Sequence, residues 1–269
     1  MSELSNERKA YLLRRKRERI TVRTAQLTAL FALLFLWELA ARRGWIDSFI
    51  MSSPSRVWAT LRNLSFSGEL WQHLGASVWE TVVGFALGTA LGASVAVALW
   101  WWPTLARICD PYLVVLGALP KTALGPIFIV WMGAGRGAII AMTLAISLIV
   151  TVMEVYNGFL ATEEGKLRLL RTLGANRRQL LWHLVLPANL PTLINALKVN
   201  VGLSWVGVIM GEFLVSREGL GYLIVYGSQV FKMDLVMATV LLLAAAAAIM
   251  YEGVLLLEKA LKKYLGVSV

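Results

Sequence analysis

Six long segments of mostly apolar residues limit the folds open to this chain more than any other feature. They cover about residues 24–41, 78–101, 111–132, 137–159, 193–215 and 235–257. A helix needs a run of about eighteen or more apolar residues to cross a bilayer. Alternating strands of about ten residues, which are typical of membrane barrels, do not occur in the sequence. The pattern therefore predicts an all-α polytopic membrane bundle with about six transmembrane helices.

The basic residues are distributed in a way that indicates an orientation in the membrane. The net charge is +10, and eight of the 26 Lys and Arg residues lie before residue 24. With the N-terminus inside, the cytoplasmic segments carry 17 of these residues and the outer segments carry seven. Basic residues collect on the cytoplasmic side, where anionic lipid attracts them. We therefore predict cytoplasmic N- and C-termini, with membrane lipid rather than nucleic acid as the partner of this charge.

The order of polar and apolar segments predicts four regions. Residues 1–23 form a basic cytoplasmic segment, and residues 24–70 hold the first span and an outer interfacial segment. Residues 71–264 form the main transmembrane domain with a cytoplasmic loop at 160–191, and residues 265–269 form a tail. Within the third span, Pro120 and Pro126 predict breaks, and the pair Asp110-Pro111 predicts its start.

Glycines spaced four residues apart predict close helix packing in two of the spans. Residues at this spacing share one helical face and allow two backbones to approach closely. Packing within one bundle is the simpler interpretation, and an interface between subunits is the alternative. The predicted packing residues are Gly84, Gly88 and Gly92 in the second span, with Gly207 and Gly211 in the fifth.

The sequence lacks the residue patterns of a membrane enzyme. No phosphate-binding G-x-x-x-x-G-K-[ST] motif occurs, and Gly165-Lys166 lacks the upstream glycine and the following hydroxyl. The two histidines have no Cys or carboxylate partners at metal-ligand spacing, so we expect no metal site. The single cysteine, Cys109, excludes an intramolecular disulfide. We therefore expect no catalytic residues and no cofactor on this chain.

Two charged residues within the apolar segments are candidates for a transport pathway. Lys121 follows Pro120, and a charge in a broken span usually faces a partner or a watery path. Lys121 either lines an electropositive pathway suited to an anion, or reaches toward a headgroup or a carboxylate. Glu212, near the outer end of the fifth span, either lines the pathway or forms an ion pair within the bundle.

A basic loop between the fourth and fifth spans is the most informative polar segment. It holds five Lys and Arg residues between positions 163 and 191, and Gly174 precedes Leu184, Leu186 and Pro187 by ten, twelve and thirteen residues. This spacing resembles the cytoplasmic signature loop of ATP-binding-cassette importer permeases, which reads EAA, three residues, Gly, nine residues, Ile, one residue, Leu-Pro. The EAA positions are occupied here by Arg168-Leu169-Leu170.

Further segments resemble the nitrate/sulfonate/taurine branch of these permeases. They are ELWQHLGASVWETVVGFALGTALG, DPYLVVLGALPKTALGPIFIVWMGAG, MSSPSRVW and REGLGYLI. Together they extend the resemblance over nearly the whole chain after the basic head. The resemblance therefore implies the fold of a type I importer permease.

The resemblance also implies partners and a division of labour. Two permease chains, as a homodimer, would form the pathway in a bacterial inner membrane, and an extracytoplasmic binding protein would deliver the solute. Two ATPase subunits would carry ATP and Mg and would dock on the basic loop. The residues that we expect to contact the ATPase are Arg168, Arg171, Gly174, Ala175, Asn176, Arg177, Leu184, Leu186 and Pro187.

The solute is not determined by the sequence. Lys121 favours an anion such as nitrate, a sulfonate or taurine, whereas the same branch also carries pyrimidine precursors of thiamine. A stand-alone secondary transporter is an alternative of a different class. That class needs an ion-coupling site, often with inverted repeats, and the sequence shows neither a repeat between its halves nor many acids in its spans.

Overall fold

A computed structural model describes residues 6–264, and all the regular structure in this range is helical. Residues 1–5 of the predicted basic segment and the predicted tail 265–269 lie outside the described residues. A short 3₁₀ turn, Lys121–Leu124, precedes α6, and a π-helical turn, Leu181–Val185, follows α9. The α-helices are α1 (Asn6–Arg42), α2 (Ser48–Met51), α3 (Pro54–Ser67), α4 (Glu69–Trp101), α5 (Pro103–Ala118), α6 (Gly125–Met132), α7 (Arg136–Leu160), α8 (Glu164–Thr172), α9 (Arg177–Leu180), α10 (Leu186–Ala188), α11 (Leu190–Val215), α12 (Leu220–Gln229) and α13 (Met233–Tyr264).

The predicted membrane bundle is confirmed. Within the described residues, five helices are long and apolar enough to span a membrane, and they are α1, α4, α7, α11 and α13. A sixth span is formed if α5 and the segment Lys121–Met132 are counted together, although their axes differ by 91°. The backbone of a lipid-exposed segment must satisfy its own hydrogen bonds, which explains why these segments are helices.

The predicted start of the third span was wrong. The helix begins eight residues earlier than expected, at Pro103, and Pro111 lies inside it. Pro103 occupies the first turn, where a missing N–H costs nothing, so it supplies the start signal that the prediction assigned to Pro111. The break after α5 was correctly located, since the helix ends at Ala118, just before Pro120.

The core of the bundle is α7 enclosed by the glycine-rich faces of α4 and α11. Three glycines of α4 face three hydroxyl residues of α7, and successive pairs are spaced by about one helical turn on both helices. The pairs are Gly84 with Thr143, Gly88 with Ser147 and Gly92 with Thr151. From α11, Gly207 lies against the backbone of Thr143 and Gly211 lies against Ile139. Small side chains at these positions let the three backbones approach closely. The contacts made by these five glycines therefore lie within one chain.

The hydroxyl residues of α7 avoid leaving polar atoms unpaired in this interface. Thr143, Ser147 and Thr151 each donate a hydrogen bond to the carbonyl oxygen four residues earlier, at 2.9 Å. All three side chains are buried. Thr143 and Ser147 therefore behave as small packing groups, whereas the Thr151 hydroxyl also accepts a hydrogen bond from the Asn200 side chain of α11.

Helix α1 is the least integrated span. None of the residues in its most apolar stretch is buried in this chain, and Phe31, Leu33 and Phe35 are each more than 60% exposed. Its C-terminal end is held by Glu38, which accepts hydrogen bonds from Arg42 and from the backbone N–H of Ser55. The apolar surface of α1 is thus left for lipid or for another chain.

The surface helix α3 is fixed to the start of α13. Ser53 caps the N-terminus of α3 and Pro54 occupies its first turn. Arg56 donates two hydrogen bonds to Asp234 in the first turn of α13, at 2.7 and 3.0 Å. This contact places α3 across the end of the bundle that also carries the α11–α12 and α12–α13 connections.

The α7–α11 contact leads to a prediction about two glycines of one helix. A Cβ atom at Gly207 would lie 2.6 Å from the Cα of Thr143, whereas one at Gly202 would meet nothing within 4 Å. Backbone cannot move aside as a side-chain tip can, so we expect Gly207→Ala to destabilise the protein by roughly 1–3 kcal/mol. Gly202→Ala should be neutral or mildly stabilising. Thermal unfolding of the purified protein in detergent measures both, and equal melting temperatures would contradict the prediction.

Candidate functional site

The basic loop folds into a short amphipathic helix followed by a tight reversal. Helix α8 ends at Thr172, and Gly174 adopts the left-handed conformation with φ +84°. The N–H of Ala175 donates to the carbonyl oxygen of Leu170 at 3.0 Å, which closes the helix end. A non-glycine residue in this conformation costs roughly 1–2 kcal/mol. Gly174 is therefore required by the turn itself.

Asn176 begins the next helix with a complete capping box. Its side-chain oxygen accepts from the N–H of Gln179 at 2.9 Å, and the Gln179 side chain accepts from the N–H of Asn176 at 2.8 Å. Helix α9 continues directly through the π-helical turn into α10 and α11. Asn176 thus fixes the direction in which the loop re-enters the bundle.

The loop is also attached to the end of α4. Arg177 donates a hydrogen bond to the carbonyl oxygen of Trp100 at 3.3 Å, and its guanidinium carbon lies 5.7 Å from the Trp100 ring centroid. The C-terminal end of a helix attracts a cation, and an indole face does as well. Arg177 therefore links the loop to α4, although the sequence predicted only a partner-facing role for it.

The remaining loop residues divide into exposed and inward-facing groups. Arg168 and Arg171 are exposed, and Arg168 pairs with Glu164 one turn away at 2.7 Å. Leu184 and Leu186 are half-buried, and Leu186 packs on a core cluster that includes Phe159. Pro187 is exposed at the start of α10. The two leucines anchor the loop, while a partner-facing role for the exposed residues stays a prediction.

Two exposed leucines that sequence reasoning did not select stand on the same surface. Leu169 is 60% exposed and Leu173 is 74% exposed, beside a small cavity of about 280 Å³ that reaches Gly174 and Ala175. Exposed apolar side chains next to a rigid turn are typical of a protein contact site. Their signal in the sequence is the apolar face of α8, which is otherwise strongly charged.

Lys121 caps the end of α5 at the bend of the broken span. Its Nζ donates to the carbonyl oxygen of Gly117 at 2.8 Å and lies 3.5 Å from that of Leu119. The negative end of the helix dipole favours a cation at this position. Lys121 is half-buried and forms no ion pair with any carboxylate in residues 6–264. Its positive charge is therefore fixed by backbone carbonyls and is not neutralised. Neighbouring Pro120, at the bend itself, is exposed.

Glu212 is used to hold the N-terminus of α12. Its side chain is 1% exposed and accepts from the Ser77 hydroxyl and from the backbone N–H of Gly221, both at 2.5 Å. The same hydroxyl accepts from the N–H of Leu220 at 2.7 Å. An anionic group at a helix N-terminus satisfies N–H groups that have no partner inside the helix. These contacts are with hydroxyl and amide groups instead of the cation that an ion pair would supply.

A second buried carboxyl, on Glu80 of α4, lies next to Glu212 and was not selected from the sequence. Glu80 is 1% exposed, and its Oε1 lies 3.7 Å from the guanidinium of Arg136 at the start of α7. Arg136 also pairs with Glu218, and this hydrogen bond holds the pKa of Glu218 below its usual range. The sequence does mark Glu80, because it is an acidic residue within an apolar span. Its partner Arg136 could not be predicted, because it lies 56 residues away along the chain.

The other residues considered for chemistry do not converge. His73 and His183 lie in different parts of the chain, and Cys109 is half-buried with a free thiol. Within residues 6–264, no group of three His, Cys, Asp or Glu side chains could hold a metal ion. The described geometry thus contains an exposed basic loop, a bent span and a capped helix, and no convergent catalytic or metal-binding group among the described residues.

Comparison with known families agrees with this geometry. Residues 88–263 match the family described as "binding-protein-dependent transport system inner membrane component". The match covers more than half of the chain, so the chain belongs to this family. It is an inner-membrane permease subunit of an ABC importer and not an enzyme. The assignment decides against the stand-alone secondary transporter.

Individual relatives place the chain in the nitrate/sulfonate/taurine branch. It is 29% identical to the aliphatic sulfonates transport permease protein SsuC of Escherichia coli (strain K12), over 83% of this chain and 85% of that protein. It is 25% identical to the taurine transport system permease protein TauC of the same organism, over 90% of each chain. It is 31% identical to the formylaminopyrimidine transport permease protein ThiX of Halalkalibacterium halodurans, over 71% of this chain and 75% of that protein.

A solved structure shows the same fold. The permease of the MetNI methionine ABC transporter, from a study of its inward-facing conformations, superimposes with a TM-score of 0.58 at 20% identity. The match covers 68% of this chain and 93% of that chain. At this identity the likeness concerns the fold, and it confirms the prediction of a type I importer permease.

The Glu80–Arg136 contact yields a prediction by charge exchange. Arg136→Glu would place a fourth carboxyl beside Glu80, Glu212 and Glu218, and should cost roughly 1–3 kcal/mol, between the values for exposed and buried pairs. Adding Glu80→Arg should recover at least half of the loss, because the new guanidinium would face three carboxyls. Melting temperatures in detergent measure the effect. The exposed Arg217→Glu serves as a control, and a double variant no more stable than Arg136→Glu would refute the pairing.

Proposed function

We propose that this subunit imports a small solute with an anionic group, such as nitrate, a sulfonate or the sulfonate-bearing zwitterion taurine, as one half of a homodimeric pathway. The observation that carries the proposal is Lys121, whose charge is fixed at the bend of the broken span without a carboxylate partner among the described residues. A fixed positive charge inside a membrane protein attracts an anion and repels a cation. Relatives named for sulfonates and taurine support this class of solute.

A second candidate solute is a small heterocycle. The relative ThiX, named for formylaminopyrimidine, is 31% identical to this chain, so the branch is not restricted to anions by name. A neutral ring would not need the charge of Lys121. The two candidates therefore differ in whether transport depends on that charge.

The second permease copy is supported by apolar surface that the chain leaves uncovered. Around the bend, Val130 is 82% exposed, Trp131 is 75% exposed and Tyr112 is 66% exposed. In a pathway between two copies, the bent spans α5 and α6 and their Lys121 would face each other. Large exposed side chains on a bent span fit such a contact better than they fit a packed single bundle.

ABC importer permeases work with an ATPase and a binding protein, and we propose that the basic loop receives the ATPase here. The contact would consist of the arginines of α8, the exposed Leu169 and Leu173, and the turn at Gly174. We place ATP and Mg on that partner, since this chain has no phosphate-binding loop in its sequence. Closure of the two ATPases would push on the loop and rock the spans between two states.

Docking of a cytoplasmic ATPase on the basic loop implies an orientation of the chain in the membrane. The basic loop and both termini lie in the cytoplasm, as the excess of 17 over seven basic residues favours. The α11–α12 connection and α3 then lie on the outer side, where the binding protein would approach. Accessibility of a single cysteine placed at exposed Arg178, in a Cys109→Ala background, tests this side assignment.

The docking proposal predicts a specific loss of coupling. Gly174→Glu adds a charge and a strained conformation at the centre of the loop, so we expect the ATPase to bind at least tenfold more weakly or to hydrolyse ATP without uptake. Gly44→Glu is the matched control, because Gly44 also has a positive φ of +71° and open space around it. Co-purification with the ATPase and uptake into proteoliposomes measure both. Normal uptake by Gly174→Glu would exclude the docking role.

The anion proposal predicts a dependence on the Lys121 charge. Lys121→Gln keeps a donor for the Gly117 carbonyl but removes the charge, and we expect uptake of ethanesulfonate to fall roughly tenfold or more. Lys121→Arg should retain most of the uptake. The assay uses the complete complex with ATPase and binding protein, and ATPase association should be unchanged in both variants. If Lys121→Gln transports at the normal rate, the pathway role of Lys121 is wrong and the neutral heterocycle becomes the better candidate.

A further inference from the structure

A polar cleft lies between α3, the first turn of α4, α12 and the connection before α13. Its volume is about 540 Å³, which suits a small molecule, and its lining includes Thr60, Asn63, Glu69, His73, Tyr222 and Lys232. We call it the α3–α12 cleft. It contains none of the residues of the basic loop and none of the bent span. Neither the proposed pathway nor the proposed ATPase contact uses it.

One wall of the cleft is a stack of three aromatic rings. His73 lies 5.8 Å from Tyr222 with an interplanar angle of 20°, and Tyr222 lies 5.9 Å from Tyr226 at 17°. Lys232 lies at the Tyr226 end of the stack, and its Nζ is 6.0 Å from the Tyr226 ring centroid. Such a stack fixes each ring in one orientation. The cleft wall is therefore rigid in this region.

His73 presents a hydrogen-bond donor without an acceptor. Its Nδ1 accepts from the backbone N–H of Gly219 at 3.0 Å, so the proton of the neutral ring is on Nε2. Within residues 6–264, Nε2 donates to no protein oxygen, and it is not one of the buried unpaired side-chain atoms, so it is accessible from the cleft. His73 is only 9% exposed, and it lines the cleft. An accessible N–H on a ring held in one position is complementary to an oxygen acceptor on a ligand.

Two opposite charges line the same cleft without neutralising each other. In residues 6–264, neither the Lys232 ammonium nor the Glu69 carboxylate takes part in an ion pair, so the two lie more than 4.0 Å apart. Glu69 and Glu218 both act on His73 electrostatically, and Glu218 is already paired with Arg136. A molecule with an acidic group and an ammonium group at opposite ends could contact both charges at once.

We propose that the α3–α12 cleft binds a small zwitterion. Its oxyanion is held by Lys232 and the Nε2–H of His73, and its ammonium group is held by Glu69. Two sources offer this chemistry: a soluble amino acid or aminosulfonate, and the headgroup of phosphatidylethanolamine. The second source is relevant because α3 exposes Trp58 (71%) and Phe66 (79%), which are typical of the membrane interface.

The chain contains only two histidines, which allows a direct test. With histidine ring carbons labelled with ¹³C, NMR of the full-length protein in nanodiscs of phosphatidylglycerol should give two Cε1 signals. His183→Gln assigns them, and His183, in the distant basic loop, is the internal control. Taurine should shift the His73 signal saturably and leave the His183 signal unchanged. Ethanesulfonate and ethylamine, which each carry one of the two charges, should bind roughly tenfold more weakly or not at all.

The lipid source is tested by changing the nanodisc. If the headgroup occupies the cleft, the His73 signal in phosphatidylethanolamine should already lie away from its position in phosphatidylglycerol, and taurine should shift it less. A taurine response without this lipid effect assigns the site to a soluble zwitterion. If neither taurine nor phosphatidylethanolamine moves the His73 signal, the proposal is refuted.

Variants separate the proposed contacts from non-specific binding. Lys232→Gln and Glu69→Gln alter exposed side chains, so both proteins should fold, and each should weaken the response at His73 roughly tenfold. Lys259→Gln, at an exposed position outside the cleft, should leave the response of the His73 signal to taurine unchanged. Equal responses to taurine and ethanesulfonate, or full responses in both cleft variants, would overturn the proposal. The titration needs neither ATPase nor binding protein and is read at His73 alone, so its failure would leave the proposed transport function untouched.

Discussion

The close contact of α7 with α4 and α11 is the interaction on which the rest of this fold depends. Apolar side chains gain little by leaving lipid for a protein interior, so membrane helices associate through close packing and satisfied polar groups. Here glycines on two helices meet hydroxyl residues of a third in matching steps, and the hydroxyls are already hydrogen-bonded within α7. The three helices are therefore closely packed at these glycines, and the other elements are arranged around them.

The capped N-terminus of α12 is the clearest example of an element that this unit positions. Its first N–H groups are received by His73 and Ser77 of α4 and by Glu212 of α11. The cap is complete only if α4 and α11 keep their relative position along the membrane normal. A buried carboxyl in this role stabilises a connection outside the core. This is a structural use of a residue for which the sequence also allowed a place in the transport pathway.

Much of the architecture could be predicted because hydrophobic length and glycine spacing are local signals. The spans, the break near Pro120 and the position of the Gly174 turn all follow from residues within a few turns of one another. The contacts of Glu80 with Arg136, of Arg177 with Trp100 and of His73 with Gly219 could not be predicted, since each joins residues more than fifty positions apart. The start of α5 was misplaced for a different reason: two prolines, Pro103 and Pro111, carried the same signal, and only packing distinguishes them.

The hydrogen bond from Arg177 to the Trp100 carbonyl near the end of α4 has a mechanical consequence. The basic loop runs straight into α11 through α9 and α10, and it is tied sideways to Trp100 as well. A force applied to the loop would therefore reach two helices at once. One is α11, which follows the loop along the chain, and the other is α4, which Arg177 contacts. Because α4 and α11 both pack closely on α7 at their glycines, such a force would turn the three helices together instead of sliding one past another.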